Sequence, residues 1–444
     1  MVEMEALEFS ELHVLTAIAL GLLIIRHCRK YSSTAIYLVD FSCCRPPDYL
    51  RVYTSNFSEH IQLRPDLDQP TIDFQIKMQE RSGISDEAYL PSGLHEMPPN
   101  TALSETREEV EHVLFAVVED LFSKLPSDIT VNDIDILVTN CSLHSPTPSL
   151  SSLIVRRFGL RNDVCSVHLA GMGCSAGILA ISLASDLLRA RRRSASLALV
   201  LSMEAVTPNV YSGKRKSMVL PNALFRMGGA GILLSNRRSD SGRAKYRLNR
   251  VVRTHIGASD QAYASVYQDV DEEGFGGVAL SRDIVKVAGD ALKKNLIDLA
   301  PSVLPYSEML RFAISTTIAM LRPGNKRLTH VPDFKKAFDH VCIHAGGRAV
   351  IDAVEESLRL KKEDIEASKM TLYRFGNTSS SSVWYELSYL EAKGRIKRGD
   401  KVWQVGFGSG FKCNSLVWEC VSEIDPTARN AWSDRIHLYP VSTN

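Results

Sequence analysis

Short apolar runs rich in β-branched residues alternate with longer stretches of helical period along most of this chain, and that alternation restricts the fold more than any other property. In the first half, Glu105–Lys124 sets Val110, Val113, Leu114, Val117, Val118 and Leu121 on one helical face. Asp135–Asn140 (DILVTN) and Asp163–His168 read as buried strands, Ser175–Arg189 as a helix and Leu197–Ser202 as a third strand. The second half repeats the grammar. Ser281–Leu299, Arg348–Leu360 and Thr378–Lys393 read as helices; His340–His344, Lys401–Phe407 and Leu416–Cys420 read as strands. Alternation of this kind predicts a layered α/β fold with a sheet and covering helices in each half, 101–260 and 261–444. No sequence repeat is visible between them. Between an apolar leader (1–35) and these halves, residues 36–100 hold Pro46, Pro47, Pro65, Pro70, Pro91, Pro98 and Pro99, which predicts an irregular connector or lid.

A net charge of +1 on 444 residues, with 7% aromatics and no basic stripe interleaved with them, gives nucleic-acid binding no support. The basic clusters at 189–193 (RARRR), 214–216 (KRK) and 237–245 read as solvated surface, with contact to an anionic nucleotide phosphate as the minor reading. Nine cysteines form no CxxC pair, which argues against a metal site; an odd number in a large chain points to a reducing compartment. Near the N-terminus, Val14–Ile25 is uncharged and ends on Arg26, His27, Arg29 and Lys30. A helix needs about 20 apolar residues to cross a bilayer. A buried or interfacial helix and a membrane anchor with a basic cytoplasmic flank both remain open for this segment.

Chemistry concentrates at Gly171-Met-Gly-Cys-Ser-Ala-Gly177, between a strand and an apolar helix. That position exposes Cys174 to the unpaired N–H groups and positive end of the helix, which favours the thiolate. The flanking glycines permit a sharp turn. Gly173-Cys-Ser-Ala-Gly177 also fits the G-x-S-x-G elbow of serine hydrolases, with Ser175 attacking and Asp333 or Asp339 before His344 as partners. Hydrolases carry their oxyanion loop before the nucleophile, whereas HAGG (344–347) follows it here, so this reading ranks second.

His340 and His344 share one face of a strand. The small residues after His344 leave room for a ligand, which makes His344 the catalytic candidate and His340 the structural one. Asn377, in RFGN before a serine run and a helix, suits both an N-cap and a catalytic amide. The turn Gly406-Phe-Gly-Ser-Gly410 lacks the spacing of a dinucleotide fingerprint; Gly406, Gly408, Ser409 and Gly410 suit a loop offering N–H groups to an oxyanion.

The segments VDFSCCRPP, NCSLHSPTPSLSS, GMGCSAG, LPNALFRMGGAGILLSNR, CIHAGGRAVID, YRFGNTSSSSVWYEL and GFGSGFKCNS closely resemble the plant 3-ketoacyl-CoA synthases over about Tyr37 to Val421. The resemblance implies a thiolase-like fold, a duplicated five-layered αβαβα core preceded here by a short apolar N-terminal helix. It implies a Cys-His-Asn triad on Cys174, His344 and Asn377, and it adds His255 and His340 to the catalytic candidates. It further implies acyl-CoA and malonyl-CoA as substrates with no separate cofactor, and a homodimer. A ketoacyl reductase, a dehydratase and an enoyl reductase would be its partners at the endoplasmic reticulum membrane. The chain departs from the family's usual pattern at Tyr373 (His before RFGN is usual), at His144 (Phe is usual) and over 211–217 (YSGKRKS). Its leader is also shorter than the usual pair of membrane helices. Three further readings stand beside this one: a polyketide synthase of the chalcone-synthase type, which shares the triad; the serine hydrolase; and a non-catalytic scaffold subunit, to which the departure at Tyr373 would point.

Overall fold

The computed structural model describes residues 34–191, 195–321 and 332–442. The strands are β1 (Tyr37–Cys43), β2 (Ile134–Asn140), β3 (Cys165–Leu169), β4 (Leu197–Met203), β5 (Gly229–Ser235), β6 (Tyr246–His255), β7 (Val266–Val270), β8 (Gly276–Leu280), β9 (His340–Ile343), β10 (Lys401–Gly408) and β11 (Lys412–Cys420). The helices are α1 (Thr54–Gln62), α2 (Gln69–Arg81), α3 (Leu103–Lys124), α4 (Leu150–Phe158), α5 (Ala176–Ala190), α6 (Lys216–Leu224), α7 (Asp260–Tyr263), α8 (Ile284–Val303), α9 (Tyr306–Leu321), α10 (Arg348–Leu358), α11 (Lys362–Phe375) and α12 (Ser382–Ala392).

Nine strands hydrogen-bond in the order β3-β2-β4-β5-β1-β6-β11-β10-β9, and β7 and β8 form a separate hairpin. The nine fall into two sheets joined at one narrow seam: β1 and β6 share only the pairs Tyr37↔Arg247 and Leu38↔Tyr246. β4 and β5 are buried at every position, as strands covered on both faces must be. The covering is layered. α3 packs on the outer face of β1, β4 and β5, and α8 on the outer face of β6 and β11. α5 touches β2 and β4 on one side and β10 and β11 on the other, and α12 likewise bridges β1 and β5 to β9 and β10. These two helices form the central layer of the five-layered thiolase-like fold. α12 is buried along its whole length, as a helix enclosed between two sheets has to be.

The stretch 36–100 is not an irregular connector. β1 completes the first sheet and carries the seam to the second, and α1 and α2 follow it. Three of its prolines sit where they cost no hydrogen bond. Pro46 and Pro47 lie beyond the end of β1, and Pro70 stands in the first turn of α2, capped by the Asp68 side chain accepting from Thr71 N–H at 2.9 Å. The apolar leader falls almost entirely outside the described residues. Among those described, one helical stretch, Gly173–Ala190, is long and apolar enough to cross a membrane, and it is the core helix between the sheets.

Candidate active site

The nucleophile candidate sits in a tight turn. Gly173–Ser175 form one 3-10 turn that runs straight into α5, one turn earlier than the α-helix itself. Gly173 takes φ +67°, and a Cβ there would strike the Ser409 backbone nitrogen. A Cβ on Gly408 would strike Ser175 Oγ and come within 2.7 Å of the Met172 carbonyl, and one on Gly406 would lie 3.6 Å from Ser175 Cα. The 406–410 loop therefore rests directly on the Cys174 turn, and glycine is what lets backbone meet backbone there. On the other side, a Cβ on Gly177 would run into the Ser380 carbonyl oxygen, so the Ser379–Ser381 turn is equally close.

His344 follows β9, and its N–H donates to the Val405 carbonyl at 2.9 Å, one residue before the loop that lies on Cys174. Asn377 follows α11. Its Nδ2 donates to the Gly346 carbonyl at 3.1 Å, and its Oδ1 accepts from Ser379 N–H at 2.8 Å. One end of the Asn377 amide is thus tied to the His344-Ala-Gly346 turn and the other to the turn packed on Cys174. Only one of its two Nδ2 hydrogens is used, which leaves one to offer a ligand. Asn377 does not cap a helix; its amide is committed to these two turns.

Burial decides the electrostatics. His344 is 3% exposed, its Nδ1 has no partner among the described residues, and desolvation pushes its imidazole down from 6.5 to about 4, so it is neutral at physiological pH. Cys174 is partly open at its surface but densely surrounded. Desolvation is the largest influence on its thiol and pushes it up to about 12, opposed by the Ser379 hydroxyl and reinforced by the Glu204 carboxylate. The helix end alone predicts a lowered thiol; in the structure burial outweighs it. The resting pair is a thiol and a neutral imidazole.

The remaining candidates separate. Gly406, Gly408, Ser409 and Gly410 belong to the loop on the Cys174 turn. His255 stands behind that loop: a Cβ on Gly410 would be 3.5 Å from its Nε2, and its Nδ1 accepts from Gly257 N–H at 3.1 Å. His340 is at the opposite end of β9 from His344, roughly 13 Å along the strand, and its Nε2 pairs with Asp400 at 2.9 Å. It is an anchor for the turn before β10, so its place among the catalytic residues is corrected. Ser175 is fully buried with no hydrogen-bond partner among the described residues, which removes the serine-hydrolase reading. Tyr373 packs edge-on to Tyr439, and its carbonyl accepts from Ser85, so this departure lies in an aromatic cluster. Among the described residues no cluster of His, Cys, Asp and Glu suits a metal. The sequence signals missed the buried carboxylates. Glu204, after β4, accepts the N–H groups of Ser142 and Leu143 at 3.0 and 2.9 Å. Glu386, on α12, accepts from Ser368, whose Oγ in turn takes the Ile343 N–H next to His344. Glu204 is also among the residues lining an apolar cavity of about 1090 Å³, open mouth included, together with Phe57, Ile61, Leu94, Val206 and Phe225.

A family model for the FAE1/Type III polyketide synthase-like proteins matches residues 28–321, and one for the 3-oxoacyl-[acyl-carrier-protein] synthase III C-terminal region matches 335–420. Over 406 residues, 91% of this chain and 87% of the relative, the sequence is 59% identical to 3-ketoacyl-CoA synthase 7 of Arabidopsis thaliana. The chain belongs to the 3-ketoacyl-CoA synthase family. 3-Ketoacyl-CoA synthase 5 of the same plant is 48% identical over 99% of this chain and 88% of the relative. In three dimensions the synthase is similar to a fungal type III polyketide synthase, ORAS, at a TM-score of 0.66 and 19% identity over 87% of this chain and 99% of that one. It is also similar to 1,3,6,8-tetrahydroxynaphthalene synthase of Streptomyces coelicolor A3(2), at 0.65 and 19% over 87% and 99%. Those neighbours bear on the fold alone, and they agree with the layers described above. The synthase is therefore a condensing acyltransferase.

Proposed function

We propose that this enzyme carries out the decarboxylative Claisen condensation of malonyl-CoA with a long-chain acyl-CoA, with Cys174, His344 and Asn377 as the reacting residues. The observation that carries the assignment is the convergence of the Cys174 turn, the His344 turn and the Asn377 amide through the contacts just described. In the first half-reaction the Cys174 sulfur forms a bond to the acyl carbonyl carbon, the carbonyl–CoA sulfur bond breaks, and the thiol proton leaves to the departing CoA by way of neutral His344. In the second, His344 and the free Nδ2 hydrogen of Asn377 donate to the thioester carbonyl of malonyl-CoA. They stabilise the enolate that forms as carbon dioxide departs, and a neutral imidazole suits this role because it donates without placing a fixed charge on the acyl path. The enolate carbon bonds to the acyl carbonyl carbon, the acyl–sulfur bond breaks, and the Cys174 thiolate takes up a proton from solvent, giving a 3-ketoacyl-CoA two carbons longer and the starting thiol. The N–H groups of Cys174 and the 406–410 loop hold the tetrahedral oxyanion, and the apolar cavity beyond Glu204 takes the acyl chain.

The chemistry needs only the two CoA thioesters and no further cofactor. A homodimer, an endoplasmic reticulum membrane location and association with the reductases and dehydratase that complete the elongation cycle belong to the same reading. The test is incubation of membrane-expressed enzyme with radiolabelled malonyl-CoA and a panel of saturated acyl-CoAs, beside Cys174→Ala. A labelled 3-ketoacyl product that vanishes in the variant supports the scheme, and the chain lengths accepted follow from the same panel. Full-rate condensation by Cys174→Ala sinks it.

A further inference from the structure

The register between β6 and β11 sets two basic side chains directly against each other. Lys412, at the start of β11, pairs with His255, at the end of β6, so the two leave the same face of the sheet. The next pair, Cys413 and Thr254, faces the other way, where Thr254 Oγ1 accepts from Asn295 of α8 at 3.1 Å. On its other side Lys412 is opposite Gly408 of β10, the residue whose Cβ would strike Ser175 Oγ. Lys412 and His255 therefore share the face of the second sheet on which the Cys174 turn rests, and that turn touches β11 as well as β10. The strand order β6-β11-β10-β9 puts the pair on one side of β10 and His344, after β9, on the other.

Two basic groups directly opposite each other weaken a sheet, and among the described residues no carboxylate offsets either one. Burial pushes the Lys412 ammonium down from its usual value, and burial followed by the Lys412 charge pushes the His255 imidazole down. His255 is thus neutral, and its Nδ1 accepts from Gly257 N–H at 3.1 Å, so its proton is on Nε2. What both groups meet is the 406–410 loop. Lys412 Nζ donates to the Ser409 carbonyl at 2.6 Å. A Cβ on Gly410 would lie 2.8 Å from Lys412 Nζ and 3.5 Å from His255 Nε2. Next to them Ile256 N–H donates to the Phe411 carbonyl at 2.9 Å, and a Cβ on Gly257 would strike the Gly410 carbonyl oxygen. Ser409 is therefore caught at both ends, its nitrogen against Gly173 and its carbonyl on Lys412. The mechanism above uses neither Lys412 nor His255.

We propose that Lys412 is a positioning residue for the oxyanion: its ammonium fixes the Ser409 carbonyl so that the N–H groups of the 406–410 loop stay in place for the acyl carbonyl on Cys174, and neutral His255 closes the same clamp from β6. An oxyanion loop works when its donors are already placed before charge develops, and a charge-assisted bond to a loop carbonyl is about twice as strong as a neutral one. The charge has a second effect. Negative charge builds beside this loop in the tetrahedral intermediates of both half-reactions, and a partly buried cation with no carboxylate to cancel it favours that charge. A cross-strand pair that weakens the sheet is then retained for the reaction. The proposal rests on Cys174 being the acylated residue and on the loop being its oxyanion site.

Stability and rate should part in the test. Lys412→Met keeps the apolar stem and removes the charge and the donor. It also relieves the pairing with His255, so the full chain should melt at the parent's temperature or above it. Single-turnover acylation of Cys174 by labelled acyl-CoA and overall condensation should both slow about tenfold to a hundredfold. KM for acyl-CoA and for malonyl-CoA should be unchanged, because the oxyanion forms in both steps but in neither bound thioester. Lys412→Arg returns a cation and a donor and should recover most of both rates. Unaltered rates in Lys412→Met, or a Lys412→Arg enzyme no faster than Lys412→Met, overturn the proposal. A raised KM with kcat retained also overturns it, by placing the ammonium on an anionic group of the substrate. Lys412→Gln repeats the measurement with a polar, neutral side chain; if neither neutral variant folds, Lys412 is a structural strut and the proposal falls. The nucleophile is scored separately. Full-rate condensation by Cys174→Ala fails the assignment of Cys174, whereas an inactive Cys174→Ala beside unaltered Lys412→Met rates fails this inference alone.

Discussion

Gly177→Ala sets two physical effects against each other. In the second position of α5, alanine improves intrinsic helix propensity by up to about 1 kcal/mol, so a chain judged on local preference alone should be stabilised. The structure predicts the reverse. A Cβ at Gly177 runs into the Ser380 carbonyl oxygen and comes within 3.0 Å of Ser202 Oγ. An ordinary contact would require the turn Ser379–Ser381 to retreat by about 1 Å. Overpacking of this kind costs about 1–3 kcal/mol. The same retreat stretches the bonds of Ser380 to Asn140 and Ser202, at 2.7 and 2.8 Å, each contributing about 1 kcal/mol. Set against the helix gain, the net loss is about 2 kcal/mol. Activity should suffer more than stability, because the displaced turn holds Asn377 through the Ser379 N–H. A misplacement near 1 Å costs about a hundredfold in rate. Thermal melting together with kcat/KM for labelled malonyl-CoA incorporation checks both halves. A Gly177→Ala enzyme that melts higher and condenses at full rate would refute the close packing of the serine turn on the nucleophile helix.

Other outcomes follow from the same geometry. Asn377→Ala should reduce condensation by about 10²–10³-fold, and malonyl-CoA decarboxylation should fall with it while acylation of Cys174 by labelled acyl-CoA persists; loss of both steps together would contradict the division of roles. His344 is held at about 4, against 6.5 unfolded, and so contributes stability that is complete above about pH 6.5 and is lost as pH falls towards 4, about 3 kcal/mol in all. Urea midpoints measured across pH 4–7 should show that slope, and His344→Gln should flatten it. His340→Ala should lose only the Asp400 pair, worth about 1 kcal/mol or less, with kcat unchanged. Val278→Trp projects bulk into the apolar cavity and should shorten the products, since each excluded methylene forfeits about 0.8 kcal/mol of burial; an unaltered product profile would take the acyl chain out of this cavity.

Sequence made legible what repeats along a chain, and hid what depends on where distant segments meet. The helices and strands that period announces begin and end within a few residues of the observed ones, whereas β5, β6, α4 and α11 carried no such reading. The glycines around Cys174 and after His344 announce a crowded site because only close backbone approach needs them. β1 escaped notice because its neighbours are prolines, and prolines outside an element say nothing about the element itself. Its place at the seam depends on β6, more than 200 positions later. Glu204 and Ser379 escaped for a deeper reason. A glutamate after a strand, and one serine among four, carry no local mark; they acquire meaning when burial removes water and leaves each polar group with only its protein neighbours. The same burial corrects the thiol. Reading Cys174 as a helix-start residue counts the dipole but not the desolvation, which is set by the loop 406–410 and the turn 379–381 closing over it from the far half of the chain. The environment of this cysteine is therefore a property of the assembled halves: Cys174 comes from one, and the groups that surround it come from both.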